Sequence, residues 1–235
     1  MQATRVTQTV RTAARPMPRQ LTFDLPVRPA LGRGDFFVSD ANAHALARLD
    51  APDTWPLGKL ALIGPEGSGK THLAHVWAEE TGGRVIAADT LASLDIAGTD
   101  TPVAVDDADR LHAEDEAALF HLHNHLNARR LPLLVVGRSA PARWTIALPD
   151  LKSRLDAADV ARIDAPDDAL LAAVLVKLFA DRQLHVAPHL IDWLLPRIER
   201  SFSFARTLVV ALDREALAEG RAVNRTIASR VLADL

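Results

Sequence analysis

The chain of 235 residues has no cysteine. That absence excludes a disulfide-stapled scaffold, a thiol nucleophile and a thiolate metal site. No stretch approaches the roughly 18 consecutive apolar residues of a membrane span, so an integral membrane protein is excluded. Positive charge is not in excess. Lys and Arg number 27 against 30 Asp and Glu, a formal net charge of −3, which is not the balance of a polycation that coats nucleic acid. Lysine itself is scarce: Lys59, Lys70, Lys152 and Lys177 are the only ones, and every other cation is arginine. What remains is 49% hydrophobic and 24% charged, the composition of a soluble globular protein. The length suits one large domain, or a main domain with a small second one.

Residues 1–19 carry Arg5, Arg11, Arg15 and Arg19 without an acidic residue or an apolar block. A secretory signal requires an apolar core of about 7–15 residues, which is missing here. The segment reads as a disordered basic tail, with a mitochondrial transit peptide as the alternative. From Asp35 onward the chain is periodic. Ser39 or Asp40 is expected to cap a helix running to Leu49. Short apolar runs at Lys59–Ile63, Arg84–Ala88, Pro102–Val105, Leu133–Val136 and Asp159–Ile163 read as strands, and Lys70–Glu80 and Glu114–Arg130 as helices between them. Strands alternating with helices predict an α/β domain over 27–165 with a five-stranded parallel sheet. After Ala165-Pro166 strand signals cease. Asp167–Arg182, Pro188–Arg200, Ser203–Glu219 and Asn224–Leu235 read as helices, a small all-helical lid domain over 166–235.

Gly64-Pro65-Glu66-Gly67-Ser68-Gly69-Lys70-Thr71 fits G-x-x-x-x-G-K-[ST], follows an expected strand and opens an expected helix. Glycines let the backbone N–H groups converge on phosphate oxygens at the helix N-terminus, where the dipole favours anions. Gly64, Pro65, Gly67, Ser68, Gly69, Lys70, Thr71 and the adjacent His72 are therefore expected to bind nucleotide. Lys70 would reach the β/γ-phosphates and Thr71 would ligate Mg²⁺. Val103-Ala104-Val105-Asp106-Asp107 ends a neighbouring strand in carboxylates. Asp106 is the expected Mg²⁺-holding carboxylate, and Asp107 is placed to polarise an attacking water. An acidic turn that merely caps the next helix is the plainer reading of this pair. His121, His123 and His125 alternate, a spacing that sends them to different helix faces, so no shared metal site is expected. The scattered tryptophans read as packing residues.

These two boxes, the helical tail and the segment Leu119–Asn124 resemble the DnaA/Hda family of AAA+ P-loop ATPases. Leu148-Pro149-Asp150-Leu151-Lys152-Ser153-Arg154-Leu155 is similar to the family's arginine-finger box, with Arg154 at the finger position. Arg206, in Ser203–Leu208, falls where the family carries a lid arginine that touches nucleotide. Phe37 and Val38, after Phe36, match the segment bordering the adenine, although they read equally well as core residues. The resemblance runs from about Phe36 to the C-terminus. It implies an AAA+ sheet domain with a helical lid, ADP or ATP with Mg²⁺ as ligands, and catalytic roles for Arg154 and Asp107. It departs from the family at Val136-Gly137-Arg138-Ser139, where an arginine stands in place of a small polar or acidic residue. That departure puts self-catalysed hydrolysis in doubt. With 29 residues after Arg206, the chain is expected to lack the DNA-binding domain that follows the initiator's lid.

Gln20-Leu21-Thr22-Phe23-Asp24-Leu25 is similar to the peptides by which proteins dock on the bacterial sliding clamp, with Gln20, Leu21, Phe23 and Leu25 as anchors over 20–26. An ordinary edge strand shows the same alternation. Together these resemblances imply a clamp-associated regulator that stimulates ATP hydrolysis by DnaA and so prevents re-initiation. Its partners would be DnaA and the DNA polymerase III β clamp, with DNA met only through the clamp; a homodimer is also open. The place implied is the bacterial cytoplasm, at the replisome. A stand-alone ATPase, a helicase loader and, more remotely, a small-molecule P-loop kinase are the alternatives.

Overall fold

Lys59–Ile63 is buried along its whole length, which only the interior of a sheet covered on both faces allows. The computed structural model describes residues 37–235 and places this segment, β1, inside a five-stranded sheet. The basic tail, the clamp-type peptide with Gln20, Leu21, Phe23 and Leu25, and Phe36 lie outside the described residues. The chain continues as α1 (Ala43–Leu49) before β1, then α2 (Lys70–Thr81), β2 (Arg84–Ala87), β3 (Val103–Asp106), α3 (Ala113–Arg129), β4 (Leu133–Gly137), α4 (Pro149–Asp156) and β5 (Asp159–Arg162). The strand order is β2-β3-β4-β1-β5 and every pairing is parallel. In such sheets ligands bind beyond the carboxyl ends of the strands. β3, β4 and β1 are neighbours, so the segments leaving them converge on one spot.

One face of the sheet packs Leu119, Leu122, Leu126, Leu151 and Leu155 from α3 and α4. The other packs α1 and α2 through Leu46, Leu73 and Trp77, with Trp55 stacked on Trp77 at 5.5 Å. Four helices follow: α5 (Asp168–Asp181), α6 (Pro188–Leu194), α7 (Phe202–Glu219) and α8 (Arg225–Asp234). They enclose their own core of Leu171, Leu175, Phe179, Leu208, Leu212 and Ile227, among others. A small cluster of Ala41, Leu170 and Phe202, with Phe37 and Val174 against it, joins this lid to the segment before α1.

Several local expectations are revised. The first helix starts at Ala43 rather than after Ser39 or Asp40. Asn42 stands at its cap position and organises the entry: its Nδ2 donates to Phe37 O at 2.9 Å and its Oδ1 accepts from Ser39 N at 3.0 Å. α6 stops at Leu194 and gives way to a 3₁₀ turn, Leu195–Arg197, because Pro196 has no N–H to continue an α-helix. α4 is an additional helix, unread in the sequence as an element.

Candidate functional site

The loop between β1 and α2 is shaped by its glycines. A Cβ on Gly64 would lie 2.7 Å from Ile163 O, and Gly67 and Gly69 take φ of +76° and +86°, conformations that a side chain disfavours. Lys70, the first residue of α2, donates from Nζ to Gly64 O at 2.9 Å and Pro65 O at 2.7 Å, with Ser68 Oγ at 3.5 Å. Burial pulls the Lys70 ammonium below the usual lysine pKa. The carboxylates of Asp109, Asp106 and Asp107 oppose that shift, while Arg138 adds to it. Thr71 and His72 are exposed on the first turn.

Asp106, half-buried at the end of β3, accepts the Asp107 N–H on Oδ1 at 3.0 Å. Asp107 is exposed and sits at φ +53°, opening a 3₁₀ turn. Asp109, in that turn, accepts the Arg138 N–H on Oδ2 at 2.9 Å; its Oδ1 is buried and has no partner among the described residues. Arg138 follows β4 and sends its guanidinium to Glu66 of the loop, Nη1 to Oε2 at 3.0 Å.

From the lid, Ser201 caps α7 by accepting the Phe204 N–H at 3.3 Å. One turn inward, Ser203, Arg206 and Thr207 face the loop. Between lid and loop lies a cleft of about 790 Å³ that brings together Gly67, Gly69, Lys70, Thr71, His72, Asp106, Asp107 and Arg206. A second cavity of about 370 Å³ shares Gly67, Gly69, His72 and Arg206 with it and is lined by Phe37, Leu170, Val174 and Phe202. A charged chamber thus opens into a more apolar one, the sequence of environments that a phosphate chain and an aromatic base require. The hydroxyl of Thr71 and the carboxylates of Asp106 and Asp107 form an all-oxygen donor set, which suits a hard cation such as Mg²⁺ that keeps water and phosphate oxygens in its shell.

Not every expected residue joins this site. Ser68, largely buried within the loop, lines only the second cavity, and Gly64 and Pro65 contribute through their carbonyls to Lys70. Val38 is exposed and borders neither cavity, unlike its neighbour Phe37. Arg154 is exposed on α4 and also borders neither cavity. Its carbonyl receives the Nζ of Lys59 at 2.6 Å. Lys59 is the first residue of β1, so Arg154 lies toward the end of the strand away from the loop. His121, His123 and His125 occupy separate environments: exposed, buried, and bonded to Thr99 O at 2.7 Å. Sequence reasoning left Glu66, His75, Arg110, Ser203 and Thr207 unassigned, and all five line the cleft. Ser203 was findable, since helical spacing places it one turn before Arg206, and Thr207 lies one turn after Ser203. Glu66 was hidden at a variable position of its motif.

No protein-family model matches the chain, and no curated protein matches it significantly. Solved structures do. Domain III of the Thermotoga maritima replication initiation protein DnaA superposes with a TM-score of 0.68 at 19% identity, over 89% of this chain and 98% of that one. DnaA of Aquifex aeolicus, solved with AMPPCP, gives 0.59 at 18% identity, over 74% and 62%. The Thermotoga maritima RuvB branch-migration motor gives 0.59 at 16%, over 82% and 66%. The fold is that of an AAA+ P-loop NTPase: a five-stranded parallel sheet with flanking helices, followed here by a helical lid.

Proposed function

We infer that a chain with this AAA+ fold binds adenine nucleotide, phosphates on the Gly64–Thr71 loop and base beside Phe37, and regulates the initiator DnaA from the sliding clamp, in the manner of Hda. The observation that carries this reading is the separation of its cations. Lys70 and Arg206 converge on the cleft, whereas Arg154 stands exposed outside it. Lys70 holds phosphate oxygens, and Arg206 registers the angle of the lid against the loop. Thr71 and, through water, Asp106 would hold Mg²⁺, which supplies charge neutralisation at the phosphates. Arg154 completes the site of ATP-bound DnaA in trans, where a planar guanidinium offsets the charge that develops on the transferred phosphoryl group. The Gln20–Leu25 peptide tethers the protein to the clamp, so the reading places it at the replisome in the bacterial cytoplasm. The chain's own turnover is optional.

The test measures ATP hydrolysis by this protein alone, by DnaA alone, and by both with DNA-loaded clamp. Stimulation confined to the full mixture supports the regulator. Arg154→Ala should abolish it while ADP binding and fold persist; stimulation that survives the substitution overturns the finger role. A second reading, a stand-alone ATPase, is favoured by Asp107, which lies exposed in the chain's own cleft. Fast turnover without partners decides for it.

A further inference from the structure

α4 has a weak apolar grip of its own. Of its eight residues only Leu151 and Leu155 are buried, a single row of contacts about which a short helix can rock. Two buried charges hold its ends instead. Before its first turn, Glu116 of α3 is only 4% exposed, and its carboxylate accepts the Ala147 N–H at 2.9 Å and the Leu148 N–H at 2.6 Å, one on each oxygen. Leu148 is the cap position of α4. At the other end, Lys59 of β1 is 2% exposed and donates from Nζ to Arg154 O at 2.6 Å. Were the helix to continue, that carbonyl would accept the Ala158 N–H, which turns to Leu155 O instead. The ammonium takes the place of that helical donor. Burial first, then the Arg154 guanidinium, pulls its pKa below the usual lysine value. An anion before the helix and a cation after it also complement the aligned peptide dipoles. Neither Glu116 nor Lys59 borders the two cavities.

Resting on the reading of Arg154 as a group lent to a partner's active site, we propose that Glu116 and Lys59 are positioning residues that fix α4 at both ends and thereby set the distance and angle at which Arg154 is presented. The Lys59 bond falls on the backbone of Arg154 itself, so the guanidinium is left with its own side-chain torsions and little else. Charge stabilisation in a transition state depends on donors that are already in place. An exposed arginine on a rocking helix would dock equally well and act more slowly. Buried charges are costly unless hydrogen-bonded, and both of these are spent on one short helix.

The test is ATP hydrolysis by DnaA with DNA-loaded clamp, at rising concentrations of the full chain. Lys59→Met and Glu116→Gln should each lower the maximal stimulated rate roughly tenfold or more, while half-saturating concentration and ADP affinity stay within about twofold, because a small misplacement costs rate rather than binding. Met is close to lysine in length, and an apolar group in place of a buried charge is often neutral for stability. Gln turns one acceptor oxygen into an NH₂ group facing a backbone N–H. A full maximal rate in either variant, with Arg154→Ala inactive, overturns this proposal and leaves the finger reading standing. So does a loss that moves half-saturation or ADP affinity in equal measure, which marks a general effect on the fold. In the unaltered protein the Ala147 and Leu148 amides should exchange hydrogen as slowly as those of β1; exchange at loop rates overturns the proposal without any variant. No stimulation by the unaltered protein, or stimulation that survives Arg154→Ala, overturns the finger reading and this inference with it.

Discussion

A buried or half-buried cation reports its surroundings, and two residues show this in different ways. Lys70 is enclosed by loop carbonyls and faced by three carboxylates, so its ammonium is placed by the loop rather than by solvent. A ligand that binds the folded state stabilises it by mass action. Lys70→Ala should therefore shrink the rise in melting temperature on adding ADP; a rise of full size would contradict the phosphate-cradle assignment. His123 is the second case. It is buried, its Nε2 has no partner among the described residues, and burial first, then the charges of Lys59 and Arg154, pulls its pKa below the ordinary 6.5. The folded protein keeps the ring neutral where the unfolded chain takes up a proton. Its contribution to stability is thus present above 6.5 and declines as pH falls below that value toward the folded pKa. His123→Leu should flatten the acid side of the stability profile in urea unfolding. An unchanged acid slope would mean that other groups govern it.

Capping and periodicity operate over whole elements, and here sequence and structure agree unevenly. Asn224 Oδ1 accepts from Thr226 N at 2.9 Å and Ile227 N at 3.1 Å at the start of α8. Asn224→Ala should lower stability by about 1 kcal/mol with ADP affinity unchanged, as measured by thermal unfolding and titration. The strands were legible because Lys59–Ile63 and Leu133–Gly137 are buried throughout and their composition shows it. The phosphate loop was legible because its geometry demands glycine at fixed positions. α4 was not legible as a helix: its eight residues bury only Leu151 and Leu155, too few to set a period. The true start of α1 was also obscure, since Asn42 bonds back to Phe37 and Ser39 instead of capping forward. The Glu66–Arg138 pair joins residues 72 positions apart through the β1–β4 register, which no local pattern encodes.

At the scale of the whole molecule, the lid core and the sheet cores meet, among the described residues, through one small apolar cluster. Ala41, Leu170 and Phe202, with Phe37, form a small apolar joint beside the smaller cavity. Phe202→Ala should weaken ADP binding several-fold and speed hydrogen exchange in α7, because a removed buried aromatic costs about 3–5 kcal/mol. Exchange rates and affinity both unaltered would show that the lid is held by other contacts. Changing Gln20→Ala together with Leu21→Ala should abolish clamp binding in a pull-down and leave nucleotide binding intact; undiminished capture would remove the tether. The bond from Lys59 to the carbonyl of Arg154 has a geometric corollary. β1 spans five residues, roughly 16 Å at about 3.3 Å per residue, between the glycine-rich loop and the helix bearing Arg154. An association that joins one molecule's Arg154 to another's cleft therefore uses two unlike patches. A joint that engages one arginine and one cleft has a head and a tail, whereas a twofold pair must seat both arginines in both clefts at once. Each head-to-tail joint leaves one end open, so the length of any row depends on what occupies its last seat.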